Sequence, residues 1–147
     1  MPAIDDPFDL GRFVAAQAPI IEQVLAELRA GRKRTHWMWF VFPQAEGLGA
    51  SPMSRKFAIR SPAEARAYLD HPVLGERLRL SMRLVLAAGR PLTDIFGAPD
   101  DLKFRSCASL FAAVAPQEAI FADALTRLCG GEGDRATAAW LESRRDP

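Results

Sequence analysis

Ser61-Pro62-Ala63-Glu64-Ala65-Arg66-Ala67-Tyr68-Leu69-Asp70-His71-Pro72-Val73-Leu74 carries a helix start, a helix and a forced restart within one short stretch. Ser61 is an N-cap type, Pro62 stands at the first helical position, and Glu64 completes a capping-box pattern. The helix should run to about Asp70. His71-Pro72 then imposes a new start, because the residue before a proline is pushed out of the helical region. Leu74, Leu78, Met82, Val85 and Leu86 follow as an apolar stripe at helical spacing, ending at Gly89.

The same grammar extends in both directions. Upstream, Leu10, Phe13, Val14 and Gln17 fall at i, i+3, i+4 and i+7, and Ile20, Ile21, Val24, Leu25 and Leu28 continue the period to Gly31, a natural C′ residue. Pro19 divides this stretch into two helices by removing a donor and crowding the preceding turn. Downstream, the pattern predicts a short turn or helix over Thr93 to Phe96. Asp100 or Asp101 then caps a helix carrying Leu102, Cys107, Leu110, Phe111 and Val114. Pro116 opens a helix with Ile120, Phe121, Ala124, Leu125 and Leu128, and Asp134 after Gly130-Gly131 caps a last one with Trp140 and Leu141. The chain holds 25 Ala and 16 Leu against 6 Val, 6 Ile and 4 Thr, so β-branched residues for strands are scarce. The reading is all-α: one multihelical globular domain over residues 1–147, with about eight short helices and a core from about 9 to 143. Gln44 to Ala50 is its most evident loop.

At 147 residues a single core suffices without staples. Lys plus Arg is 19 and Asp plus Glu is 18, a formal charge of +1, which gives no general reason to expect DNA, a membrane surface or an acidic partner. Cys107 and Cys129 lie far apart without a CxxC, and only His36 and His71 could join them, so no metal site is expected. Both read as buried free thiols. The acidic start lacks an apolar signal core and no run is long enough to span a bilayer, so the expected location is the cytoplasm.

Chemistry could sit at Arg32-Lys33-Arg34-Thr35-His36-Trp37-Met38-Trp39-Phe40-Val41-Phe42-Pro43-Gln44, where three cations run into an aperiodic aromatic block. One reading is a core segment entered from a solvated basic turn. The other is a pocket with an aromatic wall and a cationic rim, as a flat phosphorylated ligand needs. Ser51-Pro52-Met53-Ser54-Arg55-Lys56 reads as a helix start with cations near its positive end, and Arg32 to Arg34 precede a possible start at Thr35. Cations at such ends suggest anion binding, at a small cost that a surface tolerates. Gln17 closes an apolar face, so it points inward, either to a structural hydrogen bond or to the polar edge of a ligand. His36 is either a packed residue or a general acid/base oriented by Asp94, Asp100 or Asp101. Asp101 to Arg105 forms an i,i+4 pattern on a capping or solvated face.

The string Arg34 to Gln44, with Gly47-Leu48-Gly49, Met53-Ser54, Phe57-Ala58-Ile59, His71-Pro72-Val73-Leu74-Gly75, Phe96-Gly97, Asp100-Asp101-Leu102-Lys103, Arg105-Ser106, Leu110-Phe111, and Gly131 with Asp134, resembles the bacterial domain-of-unknown-function family 1810. The resemblance spans Asp9 to about Leu141. It implies a small all-helical protein and no established activity. The calpastatin label sometimes attached to the family implies calpain inhibition, which uses disordered segments and does not suit a chain so rich in core-forming residues. A looser fold-level analogy links small helical domains with NAD or ADP-ribose handling, as in the NADAR proteins.

The expected function is therefore a helical pocket for a phosphate-bearing, nucleotide-like small molecule related to ADP-ribose or NAD, with metal-independent hydrolysis as an extension. Arg34, Ser54, Arg55 and Lys56 would hold the anion, Trp37 or Trp39 would stack the ring, Gln17 and Gln44 would read polar edges, and His36 with Asp101 would form the acid/base pair. No cofactor is expected. The alternative is a non-enzymatic interaction module that docks an acidic partner on the Arg32 to Arg34 turn or on the Arg77, Arg79, Arg83 flank.

Overall fold

Prolines, glycines and capping side chains divide the chain largely where the sequence predicts. A computed structural model describes residues 5–144. Ten helices occur among them: α1 (Gly11–Gln17), α2 (Ile21–Arg29), α3 (Met38–Val41), α4 (Pro52–Lys56), α5 (Pro62–Asp70), α6 (Leu74–Ala88), α7 (Leu92–Ile95), α8 (Asp100–Val114), α9 (Ala119–Leu128) and α10 (Arg135–Ser143). The number exceeds the expected eight by α3 and α4, single turns too short for a hydrophobic period to register. Pro19 separates α1 from α2, and Gly89 ends α6 in the left-handed region at φ 62°. Asp134 accepts from the Thr137 N–H at 2.8 Å, capping α10. Three starts differ from expectation. Asp100 and Asp101 occupy the first turn of α8 behind Pro99 rather than its cap; α9 begins at Ala119, after Pro116; and Thr35 starts no helix.

α6 and α8, at 15 residues each, form the centre of the fold. α8 packs chiefly on α9, while α6 lies against α2, α5 and α9, and α10 covers the outer side of α8. The stripe Leu74, Leu78, Met82 and Val85 is buried as its spacing dictates. Aromatic rings connect the layers: Phe13 meets Tyr68 edge-on at 5.1 Å, Tyr68 meets Phe111 at 5.7 Å, and Phe111 meets Phe121 at 5.6 Å. A second group, Trp37, Phe42, Phe96 and Phe104, fills the end nearest α3. Cys107 and Cys129 are both buried and free. Among the described residues no helix is long and apolar enough to cross a membrane.

His71 makes the sharp junction between α5 and α6 possible: its Nδ1 accepts from the N–H groups of Val73 and Leu74 at 3.1 and 3.2 Å. The turn brings the start of α6 onto the end of α5, where a Cβ built on Gly75 would lie 2.0 Å from the Leu69 carbonyl oxygen. Backbone cannot yield to a methyl group there. Gly75→Ala is expected to cost about 3 kcal/mol by forcing the helices apart, read as a lower urea midpoint; a variant as stable as the parent would contradict this close approach.

Candidate functional site

Gln44 to Ala50 is bonded at its start and closely packed near its end. Ala45 and Ile59 form a parallel bridge, in which the Glu46 N–H donates to the Ile59 carbonyl at 2.9 Å and the Ile59 N–H to the Gln44 carbonyl at 2.8 Å. Near the other end, Gly49 lies so close to Ser54 that an added Cβ would stand 2.5 Å from its Oγ. Only glycine fits, so the loop is pressed onto α4. Ser51 caps α4 as its sequence predicts, accepting from the Ser54 N–H at 3.1 Å. Arg12 fastens the far side by donating to the carbonyls of Lys56 at 2.7 Å and Ala58 at 2.8 Å.

Three concavities surround this loop. A crevice of about 20 Å³, room for one water-sized group, is lined by Trp39, Gln44, Gly49, Ser54 and Lys103 among others. A groove of about 350 Å³ shares Gln44, Gly49 and Lys103 with it and continues along Leu48, Pro99 and Leu102. Leu102 is 55% exposed, the one large apolar side chain so exposed among the described residues. On the other side lies a depression of about 410 Å³, lined by Glu46, Arg55 and Arg60 together with Gly47, Gly49 and Ala50. Gly49 is a wall of all three.

The charges near the crevice are partly tied. Asp100 pairs with Lys33 at 2.9 Å and with Lys103 at 3.2 Å, so one carboxylate stands between two ammonium groups. Lys103 also lies 5.4 Å from the centre of the half-buried Trp39 ring, and Lys33 lies 5.3 Å from that of Trp37. The Arg55 and Arg60 side chains are exposed and make no hydrogen bond or ion pair among the described residues.

The structure brings together Trp39, Gln44 and Ser54, with Arg55 next door, and separates the other residues singled out from sequence. Trp37 is 1% exposed and donates its indole N–H to Glu27 at 3.0 Å, so it belongs to the core and presents no stacking face. Gln17 points inward as expected, but its amide is used by the protein. It donates to the Phe40 carbonyl at 2.6 Å and to the Tyr68 hydroxyl at 3.2 Å, and accepts from Arg77 at 3.3 Å. Arg34 is exposed and lines none of the three concavities. Lys56 is also absent from these linings, lying 5.3 Å from the centre of the Phe57 ring. Among the described residues, His36 is exposed and makes no hydrogen bond, the buried Oδ1 of Asp101 has no partner, and nothing joins the two. Asp101 makes no ion pair with Arg105 either; Arg105 lies beside Cys129. The Arg77, Arg79, Arg83 flank is largely engaged, since Arg79 grips Glu118 through two bonds of 2.5 and 2.9 Å and Arg77 donates to Gln17.

The cationic start at Ser51 also changes meaning. α4 has only five residues, which places Arg55 and Lys56 in its last turn, where the helix dipole favours cations. The arrangement requires no anion. Among the described residues there is no cluster of His, Cys, Asp and Glu able to hold a metal.

Sequence reasoning missed Glu27, which organises the basic turn. It is 3% exposed and accepts from the N–H groups of Arg34 and Thr35, the Thr35 hydroxyl, the Trp37 indole and the Gln23 amide. Burial works to raise its carboxyl, but these donors prevail and hold it at about 2. A signal existed, because Glu27 occupies the apolar face of α2 with Val24 and Leu28. Arg60 and Lys103 carried no such signal: only the fold brings them to the loop.

A family model described as a protein of unknown function, DUF1810, matches residues 7–141. No curated protein matches the sequence. Among solved structures, the conserved hypothetical protein Rv1873 from Mycobacterium tuberculosis is 52% identical, with a TM-score of 0.91 over 93% of this chain and 99% of that one. With nearly its whole length matched by the family model, from before α1 to within α10, the chain belongs to the DUF1810 family.

Proposed function

We propose that this protein binds a phosphate-bearing, nucleotide-like small molecule across the Gln44–Ala50 loop. The observation that carries the reading is the common wall: Gly49 separates a groove containing Gln44, Leu102 and Lys103, with the small Trp39 crevice beside it, from a depression holding two unpaired guanidinium groups. A planar ring would lie in the groove along Leu102 and Lys103, with Gln44 at its edge and the Trp39 crevice adjoining, and phosphate oxygens would meet Arg55 and Arg60. Guanidinium groups match phosphate oxygens in pairs. Because His36 and Asp101 stand apart, the reading ends at binding and assigns no hydrolytic step.

ADP-ribose, NAD and a nucleoside diphosphate are the compounds to test. Each that binds should raise the thermal midpoint. Arg55→Ala and Arg60→Ala should each weaken binding about 10- to 100-fold, as the loss of a charge-assisted hydrogen bond predicts. Lys56→Ala, outside the depression, should leave binding nearly unchanged. A midpoint unmoved by every compound at millimolar concentration would overturn the proposal. The docking alternative now rests on the exposed Arg32, Arg34 and Arg83; salt-sensitive capture of a partner, lost when those three charges are reversed, would favour it instead.

A further inference from the structure

We infer that Glu46 is a built-in competitor for the phosphate end of this site and that Arg144 is a third guanidinium which Glu46 withholds from the ligand. The inference rests on the binding reading above and adds its regulation. The donors around the depression lack acceptors. Among the described residues, the Arg55 and Arg60 side chains have no partner, and neither do the backbone N–H groups of Gly47, Gly49 and Ala50. Unpaired backbone donors beside guanidinium groups make an oxyanion cradle. One acid, Glu46, lines it.

Glu46 does not reach this position by chance of a mobile loop. Its own N–H is fixed to the Ile59 carbonyl at 2.9 Å, so the carboxylate extends from a pinned backbone. It pairs with Nη2 of Arg144, which comes from the end of α10. Arg144 is itself held in place. Its guanidinium lies 4.5 Å from the centre of the Trp140 ring, its Nη1 donates to the Ser143 hydroxyl at 2.9 Å, and its Nε donates to the Arg60 carbonyl at 3.4 Å. That last contact places Arg144 against the backbone of a residue lining the depression.

The two partners remain about a third exposed, at 32% and 38%, which makes the pair weak and exchangeable. While Glu46 is charged and paired, Arg55 and Arg60 alone offer uncompensated charge, suited to a dianionic group such as a pyrophosphate or a terminal phosphate. An anion entering the cradle meets repulsion from Glu46. When Glu46 is displaced, Arg144 becomes available and the cradle gains a third cation. Ligand binding and release of the Glu46–Arg144 tie are therefore coupled, and each opposes the other's resting state.

Calorimetric titration of the full chain with inorganic pyrophosphate, at low and at physiological salt, tests this. Glu46→Gln should tighten binding about 5- to 10-fold and steepen its salt dependence, since one repelling charge is removed and one cation freed. Arg144→Ala should weaken it by a similar factor, because Glu46 then faces Arg55 and Arg60 without its own partner. Urea midpoints for each variant establish that the fold is retained, and Glu46→Ser repeats the test should glutamine disturb the loop. Binding by Glu46→Gln but not by the parent would support both ideas. A parent that binds pyrophosphate while Glu46→Gln and Glu46→Ser bind no tighter would overturn the competitor and leave the binding reading standing. Absence of binding in the parent and both Glu46 variants would overturn the two together.

Discussion

Glu27→Ala is expected to remove about 4 kcal/mol of stability, a large share of what a domain of this size possesses. The substitution strands donors from four other residues, Gln23, Arg34, Thr35 and Trp37, and leaves a void at the root of the basic turn. The charge itself can be tested by pH. Held at about 2 against an ordinary value of 4.5, the Glu27 carboxyl is depressed in the folded state. Its contribution is then fully present above the unfolded value and is lost as pH falls from about 4.5 toward 2. At about 1.4 kcal/mol per unit, that limb amounts to roughly 3 kcal/mol. Glu27→Gln should flatten it, because an amide does not titrate. Urea unfolding followed between neutral pH and pH 2 gives both results, and an acid limb of equal steepness in parent and variant would show that another group is responsible.

Arg12→Ala should cost a similar amount, about 3–5 kcal/mol, by leaving the Glu64 carboxylate buried without its counter-charge. The pair is 2.8 Å apart and its side chains are 9% and 3% exposed. Arg12 also donates to the carbonyls of Phe8, Asp9, Lys56 and Ala58, so one guanidinium serves the approach to α1, the end of α4 and the start of α5. Lysine cannot reproduce this fork. Arg12→Lys is therefore expected to retain less than half of the lost stability, measured as the urea midpoint; full recovery by lysine would reduce the contact to simple charge pairing.

Helix boundaries were legible because their causes are local. Pro19, Gly31, Ser61, Gly89 and Asp134 act on backbone within a turn of themselves, and each marks the boundary its chemistry suggests. Even here the detail shifts. Glu64 reaches back to the Arg60 N–H at 3.0 Å, one residue ahead of the capping-box position, while its other oxygen takes Arg12. What a cap cannot reveal is how far its helix runs. The Ser51 start is real, yet α4 ends after five residues, and the apparent misplacement of Arg55 and Lys56 disappears with it. Trp37 and Trp39 were indistinguishable for a related reason: one helical turn is too short for spacing to say which ring faces the core. The meeting of Gln44, Ser54 and Lys103 depends on how α4 and α8 pack around the loop, and no local pattern encodes that.

The three tryptophans give the molecule separate optical reporters. Trp37, sealed in the core with its N–H on the Glu27 carboxylate, senses whether that carboxylate carries charge. Trp140 lies beneath the Arg144 guanidinium and senses whether the C-terminal tie is closed. Trp39, half-buried next to Lys103, lines the crevice that adjoins the proposed ligand groove. Emission from variants keeping one indole at a time is thus expected to report separately on acid unfolding, on the proposed release of Arg144 and on the proposed filling of the groove, without any added label.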